Sequence, residues 1–322
     1  MTAISVEKIT KRYEEHVAVD GISFQVPAGS VYGLLGPNGA GKTTTLRMIM
    51  NILRPDTGQV TILGRPSGGD TLDRVGYLPE ERGMYLKMKV VDLLAFLAEI
   101  KGVSRRDAVP RIDRWLGRLE LSDWKARKVQ ELSKGMQQKI QFIATILHEP
   151  EVIILDEPFS GLDPVNTNLL KDVVLEMNRA GTTVIFSTHI MEQVERMCEA
   201  ICLIHHGRVV AEGALAAVKE RYGTNSVVLG FHGDGEFLRA LPNVEKIDLH
   251  GSYAEMRLVE GADPGAILAA AMPRVEVRRF EVVEPTLNSI FLDLVGEARA
   301  DRRPPEDIPA PAGEPATGGA HV

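Results

Sequence analysis

Residues 30–44 read SVYGLLGPNGAGKTT, and the fold turns on how that stretch is interpreted. An apolar, strand-like run stops at Gly36, and a helical pattern starts at Lys42 and continues to Ile52. Between them Gly36-Pro37-Asn38-Gly39-Ala40-Gly41-Lys42-Thr43 fits G-x-x-x-x-G-K-[ST], with the strand before and the helix after that a phosphate loop requires. The glycines let consecutive backbone N–H groups turn inward around phosphate oxygens. The helix presents its positive end to the same anion. Lys42 is suited to the β- and γ-phosphates, the Thr43 hydroxyl to Mg²⁺, and Thr44 adds a second hydroxyl.

Working outward, short apolar runs alternate with helical patterns over roughly the first 215 residues, which predicts an α/β layered domain. GQVTILG and RVGYL read as strands. EVIILD and TTVIFST are continuous β-branched runs, as in strands of a parallel sheet covered on both faces. VVDLLAFLAEI has helical spacing, the charged segment 104–128 reads as helical, and AICLIHHGRVVAEG reads as a hairpin turning at His206-Gly207. The run Val152–Leu155 ends in Asp156-Glu157, and ligands of parallel sheets gather at the carboxyl ends of strands. The first acid can hold Mg²⁺. The second can orient a water at the γ-phosphate side, the two services that phosphate hydrolysis needs.

Bulk composition narrows the classes. The chain has 322 residues and a net charge of −7, without the basic signature of nucleic-acid binding. Its two cysteines, Cys198 and Cys202, are too few for a disulfide framework or a zinc site. No apolar run approaches the roughly 18 residues a membrane span needs. From about Gly223 the pattern changes. Residues 225–283 read as β-α-β-β-α-β, the ferredoxin-like order, followed by an amphipathic helix in TLNSIFLDLVG. The Pro-, Ala- and Gly-rich stretch 297–322 is expected to be disordered. The domain reading is therefore 1–222, 223–296 and a tail 297–322.

Three further stretches join these motifs: Leu132-Ser133-Lys134-Gly135-Met136-Gln137-Gln138 upstream of the acid strand, Ser160-Gly161-Leu162-Asp163 after it, and Ser187-Thr188-His189 at the next strand end. In this order the set closely resembles the ATP-binding subunits of ABC transporters, over about residues 3–215. The resemblance implies a P-loop NTPase core with a mixed, largely parallel sheet, an antiparallel β subdomain and a helical subdomain near 88–135. It implies ATP and Mg²⁺ as cofactors, Asp156 as the metal-holding acid and Glu157 as general base. His189 becomes the switch histidine, and Tyr13 the ring stacked on adenine, a contact worth about 1–3 kcal/mol. Ser133 and Gly135 would contact the γ-phosphate bound by a second, facing subunit, and Asp163 would be the loop acid crossing the dimer interface, a homodimer being expected. Many relatives have glutamine where Met136 stands, so either Gln137 and Gln138 replace that amide or it is dispensable.

Residues 76–84, GYLPEERGM, carry the remaining question. Relatives place glutamine where Glu80 stands, in a loop whose side chain reaches Mg²⁺ or the attacking water. A carboxylate oxygen also suits Mg²⁺, so Glu80 is expected as a switch residue contacting the magnesium shell or the water, and Glu81 in a solvated turn. The PEERG stretch and the ending PTLNSIFLDLVG resemble the subgroup that includes sodium- and drug-export ATPases. The implied function is an ATP-hydrolysing motor working with a separate transmembrane permease, peripheral on the cytoplasmic face of the membrane. A non-transport ABC ATPase acting as a soluble regulatory or assembly factor is the other reading.

Overall fold

The structure, a computed structural model, describes residues 1–81, 83–221, 226–259, 261–283 and 285–300, with side chains to Val295. Its first sheet is antiparallel, in the order β2-β1-β4-β5, with β1 Thr2–Tyr13, β2 His16–Pro27, β4 Thr57–Ile62 and β5 Arg65–Pro66. The central six-stranded sheet runs β10-β9-β3-β8-β7-β6. Its strands are β3 Val31–Leu35, β6 Val75–Leu78, β7 Val152–Asp156, β8 Thr183–Thr188, β9 Ala200–His205 and β10 Arg208–Ala214. Only the β9–β10 pair is antiparallel. The sheet is therefore mixed and largely parallel, as expected.

The apolar runs are continuous because this sheet is buried on both faces. Val31, Leu35, Ile153, Leu155, Val184 and Phe186 join one core, on the side of the helices. Their neighbours Tyr32, Leu34, Val152, Ile154 and Ile185 join a second core, shared with the antiparallel sheet and α1 (Lys42–Ile49). This division follows the two-residue period of a strand. The β9–β10 turn is His206-Gly207, both with positive φ (48° and 75°), as a two-residue hairpin requires. Both cysteines are buried free thiols, and burial pushes each well above its ordinary range.

α1 stops earlier than Ile52. Asn51 takes φ 52°, its N–H reaches Met48 O (3.1 Å) and the Ile52 N–H reaches Arg47 O (3.0 Å). This six-to-one and five-to-two pair is a Schellman close with asparagine in place of glycine. The helices α2 (Val90–Ile100), α3 (Arg105–Arg118) and α4 (Lys134–Ile146) pack together through Leu93, Leu94, Ile112, Leu116 and Ile143. Helices α5 (Pro164–Arg179), α6 (Met191–Met197) and α7 (Leu215–Arg221) complete this part of the chain.

The third sheet has β11 Ser226–His232, β12 Val244–His250, β13 Tyr253–Leu258 and β14 Glu276–Val283, in the antiparallel order β12-β13-β11-β14. That is the expected ferredoxin-like arrangement. Its second helix is α8 (Pro264–Ala271). Its first is only a 3-10 turn over Glu236–Ala240, because Gly235 and Pro242 leave too little chain for an α-helix. α9 (Leu287–Ala300) continues past Gly296, where the disordered tail was expected to begin; 301–322 lie outside the described residues. Leu287 and Ile290 of α9 enter the main core, and the Leu287 N–H donates to Glu195 Oε1 (3.0 Å) on α6. Asp293 of α9 pairs with Lys246 and Arg257 of the third sheet.

Candidate functional site

Parallel strands side by side place their carboxyl ends along one edge of the sheet. Here β3 delivers the phosphate loop to that edge, β7 delivers Asp156-Glu157, β8 delivers Ser187 to His189, and β6 leads into Pro79-Glu80. The phosphate loop needs two of its glycines for space as well as conformation. A Cβ at Gly36 (φ 149°) would lie 2.2 Å from Ile204 O, and one at Gly41 (φ 107°) would lie 2.5 Å from Ala18 O. The β9–β10 turn braces the same loop, its Gly207 N–H donating to Ala40 O (2.9 Å). A cavity of about 390 Å³ opens over the loop, lined by Asn38 to Thr44 together with Tyr13, Glu80 and Glu157.

Lys42 is buried, and its ammonium donates to Gly36 O (2.7 Å) and Pro37 O (3.1 Å). It also stands 3.8 Å from Glu157 Oε1. Burial pulls the Lys42 ammonium below its ordinary range, while Glu157, Asp156 and Glu80 pull the other way. Glu157 in turn meets His189 Nδ1 at 2.9 Å. Its own backbone has φ 48°, a conformation costing a non-glycine residue about 1–3 kcal/mol, so the surrounding structure must hold it.

Asp156 is fully buried. Its Oδ1 accepts from Ser187 Oγ (2.5 Å) and Thr43 Oγ1 (3.2 Å), while Oδ2 has no hydrogen-bond partner. A buried carboxylate oxygen without a donor is costly. The Asp156 carboxylate, which meets the Thr43 hydroxyl through Oδ1 and keeps Oδ2 free of donors, fits a hard divalent cation, which takes oxygen ligands. The residues present thus suit Mg²⁺ on the chemistry of their donors.

Of the other anticipated residues, Tyr13 lies half-exposed at the end of β1, with Lys11 Nζ 5.9 Å from its ring centre. Glu80 and Glu81 diverge. Glu80 borders the cavity, whereas Glu81 pairs with Arg47 at 3.5 Å. Ser133, Gly135 and Asp163 are not among the residues lining this cavity. Ser133 caps α4, accepting from Met136 N (3.2 Å), and Asp163 caps α5, accepting from Asn166 N (3.0 Å). The amides beside Met136 have other employment: Gln137 Nε2 bonds Val129 O and Leu132 O, and Gln138 Nε2 bonds Pro158 O. Ser187 received no role of its own from the sequence, although its hydroxyl directly after the apolar run Val184–Phe186 was the visible cue.

Comparisons agree with this geometry. Residues 19–160 match the family model described as ABC transporter, and residues 213–295 match that of the ATP-binding protein DrrA1-3-like, C-terminal domain. The uncharacterized ABC transporter ATP-binding protein YhaQ of Bacillus subtilis (strain 168) is 41% identical over 293 residues, 91% of this chain and 98% of that protein. The Nod factor export ATP-binding protein I of Rhizobium sp. (strain N33) is 32% identical, over 91% of this chain and 97% of its own length. A solved structure described as the ATP-binding subunit of an ABC transporter superposes with a TM-score of 0.65 at 29% identity, covering 69% of this chain and 93% of that one. The chain belongs to the ATP-binding proteins of ABC transporters and is an ATP-hydrolysing motor subunit of that family.

Proposed function

We propose that this chain drives export of a compound by a separate permease, and that two copies share their ATP sites. One observation carries the reading. Lys42, Thr43, Asp156, Glu157 and Glu80 gather at one sheet edge, whereas the capping residues Ser133 and Asp163 stand at helix starts away from the cavity. Each chain thus has the means to hold ATP, and a second set of N-terminal helix groups suited to phosphate. Tyr13 stacks on the adenine and the loop N–H groups hold the phosphates, with Lys42 on the β/γ side. Glu157 orients the attacking water and takes its proton, and His189, in contact with Glu157, sets that carboxylate's direction. Thr43, Asp156 and Glu80 would hold Mg²⁺, which when bound neutralises phosphate charge. Ser133 and Gly135 serve the γ-phosphate on the facing copy.

Contact with the permease is supported by an apolar groove of about 680 Å³ beside the Pro79–Glu81 loop, lined in part by Met84, Leu93, Leu97 and Ile140. Exposed Tyr85 and Phe96 pack edge to face in the same region (5.8 Å). Among the described residues no helix is long and apolar enough to cross a membrane; the attachment in this reading is peripheral, through the permease. Export follows the role printed for the Rhizobium relative. Turnover and nucleotide binding of Ser133→Arg test the shared site. Binding is expected to stay near wild type while turnover falls at least about a hundredfold, the scale of losing a donor at a reacting centre. Turnover at the wild-type rate would contradict the sharing.

A further inference from the structure

Ser187 lies at the end of β8, fully buried and opposite Asp156 in the β7–β8 register. Its hydroxyl stands between two groups of fixed polarity. Asp156 Oδ1, at 2.5 Å, can only accept when ionised, and the Glu157 backbone N–H, whose nitrogen is 3.1 Å from Oγ, can only donate. The single hydroxyl proton is therefore committed to Asp156, and a lone pair to Glu157. The same Glu157 N–H also reaches Ser187 O (3.2 Å), so one serine grips the backbone of Glu157 through both its main chain and its side chain.

We infer that Ser187 is a positioning residue for both acids of the ATP site: its hydroxyl fixes which oxygen Asp156 turns to the cation and holds Glu157 in its left-handed conformation. Oδ1 is occupied by the short, charge-assisted bond from Ser187, and Oδ2 is left as the oxygen without a donor. Without the hydroxyl, Oδ1 keeps only the longer Thr43 bond, the carboxylate can rotate, and the Glu157 N–H keeps only its 3.2 Å bond. Hydrogen bonds to a metal ligand set that ligand's direction and basicity, and their loss shows in metal affinity as well as in rate.

The inference rests on the reading of Asp156 as the cation-holding acid. Its test uses the full-length chain with Ser187→Ala and Ser187→Thr, and thermal melts to verify that each folds. A fluorescent ATP analogue is titrated in EDTA and again across a Mg²⁺ series, and turnover is then measured. Ser187→Ala is expected to bind the analogue like wild type in EDTA and to need roughly tenfold more Mg²⁺ for half-maximal effect, with lowered kcat. Ser187→Thr, which keeps the hydroxyl, is expected to restore the Mg²⁺ response. An alanine variant with the wild-type Mg²⁺ midpoint, or one weakened equally with and without Mg²⁺, would overturn the assignment of Ser187. So would a folded threonine variant that restores nothing. Absence of any Mg²⁺ response in the wild type would instead overturn the reading of Asp156, and Ser187 with it.

Discussion

Glu80 and Glu81 are neighbours in the chain with different surroundings. Glu81 meets the Arg47 guanidinium, and its backbone carbonyl, like that of Pro79, accepts from the buried Gln141 amide. Glu80, between two anchored carbonyls, borders the cavity over the phosphate loop and acts electrostatically on Lys42. A carboxylate there adds negative charge beside phosphate and depends on a cation more than an amide would. Glu80→Gln is therefore expected to shift the Mg²⁺ dependence of hydrolysis severalfold, read as the half-saturating Mg²⁺ concentration. Superimposable titrations of variant and wild type would return Glu80 to a solvated turn. At this scale much of the site was legible, because phosphate chemistry restricts residue types so tightly around Lys42 and Asp156. Ser187 was less so: the sequence has its hydroxyl but not the register that sets it opposite Asp156.

Among the elements, legibility followed burial. β3, β7 and β8 are buried along their whole length and read as apolar runs. The long strands β1 and β2 came only through the family resemblance, since β1 presents the polar run Glu7-Lys8 and Thr10–Arg12, broken by register shifts and by Lys8 at φ 48°. The packing of α4 against β6 contains a further titratable group. His148 follows α4, its Nε2 lies 3.3 Å from Val75 O, and its Nδ1 is buried without a partner. Burial, reinforced by the Lys101 ammonium, lowers its pKa from 6.5 to about 4. The folded state thus favours neutral imidazole. Its contribution to stability is fully present above pH 6.5 and is lost as the pH falls towards about 4. The melting temperature of wild type is expected to fall more steeply over that window than that of His148→Gln, which keeps a donor for Val75 O but does not titrate. Parallel curves would remove His148 from the acid sensitivity.

For the molecule as a whole, α9 is the joint. It enters the main core through Leu287 and Ile290, bonds Glu195 on α6, and pairs with the third sheet through Asp293. α6 begins just after His189, so the ferredoxin-like part is packed behind the strand end that carries Ser187 and His189. The sequence indicated that part through its strand order, and its attachment less clearly, because a helix that serves two cores does not announce its second partner. The central claim remains that ATP joins two such chains and that Glu157 then triggers their release. Its most direct measurement is the solution mass of Glu157→Gln with and without Mg·ATP, by light scattering on a sizing column. Binding without turnover should hold the variant as a stable dimer in Mg·ATP and leave it monomeric without nucleotide. A variant that stays monomeric while binding ATP, or that hydrolyses ATP at the wild-type rate, would contradict the claim.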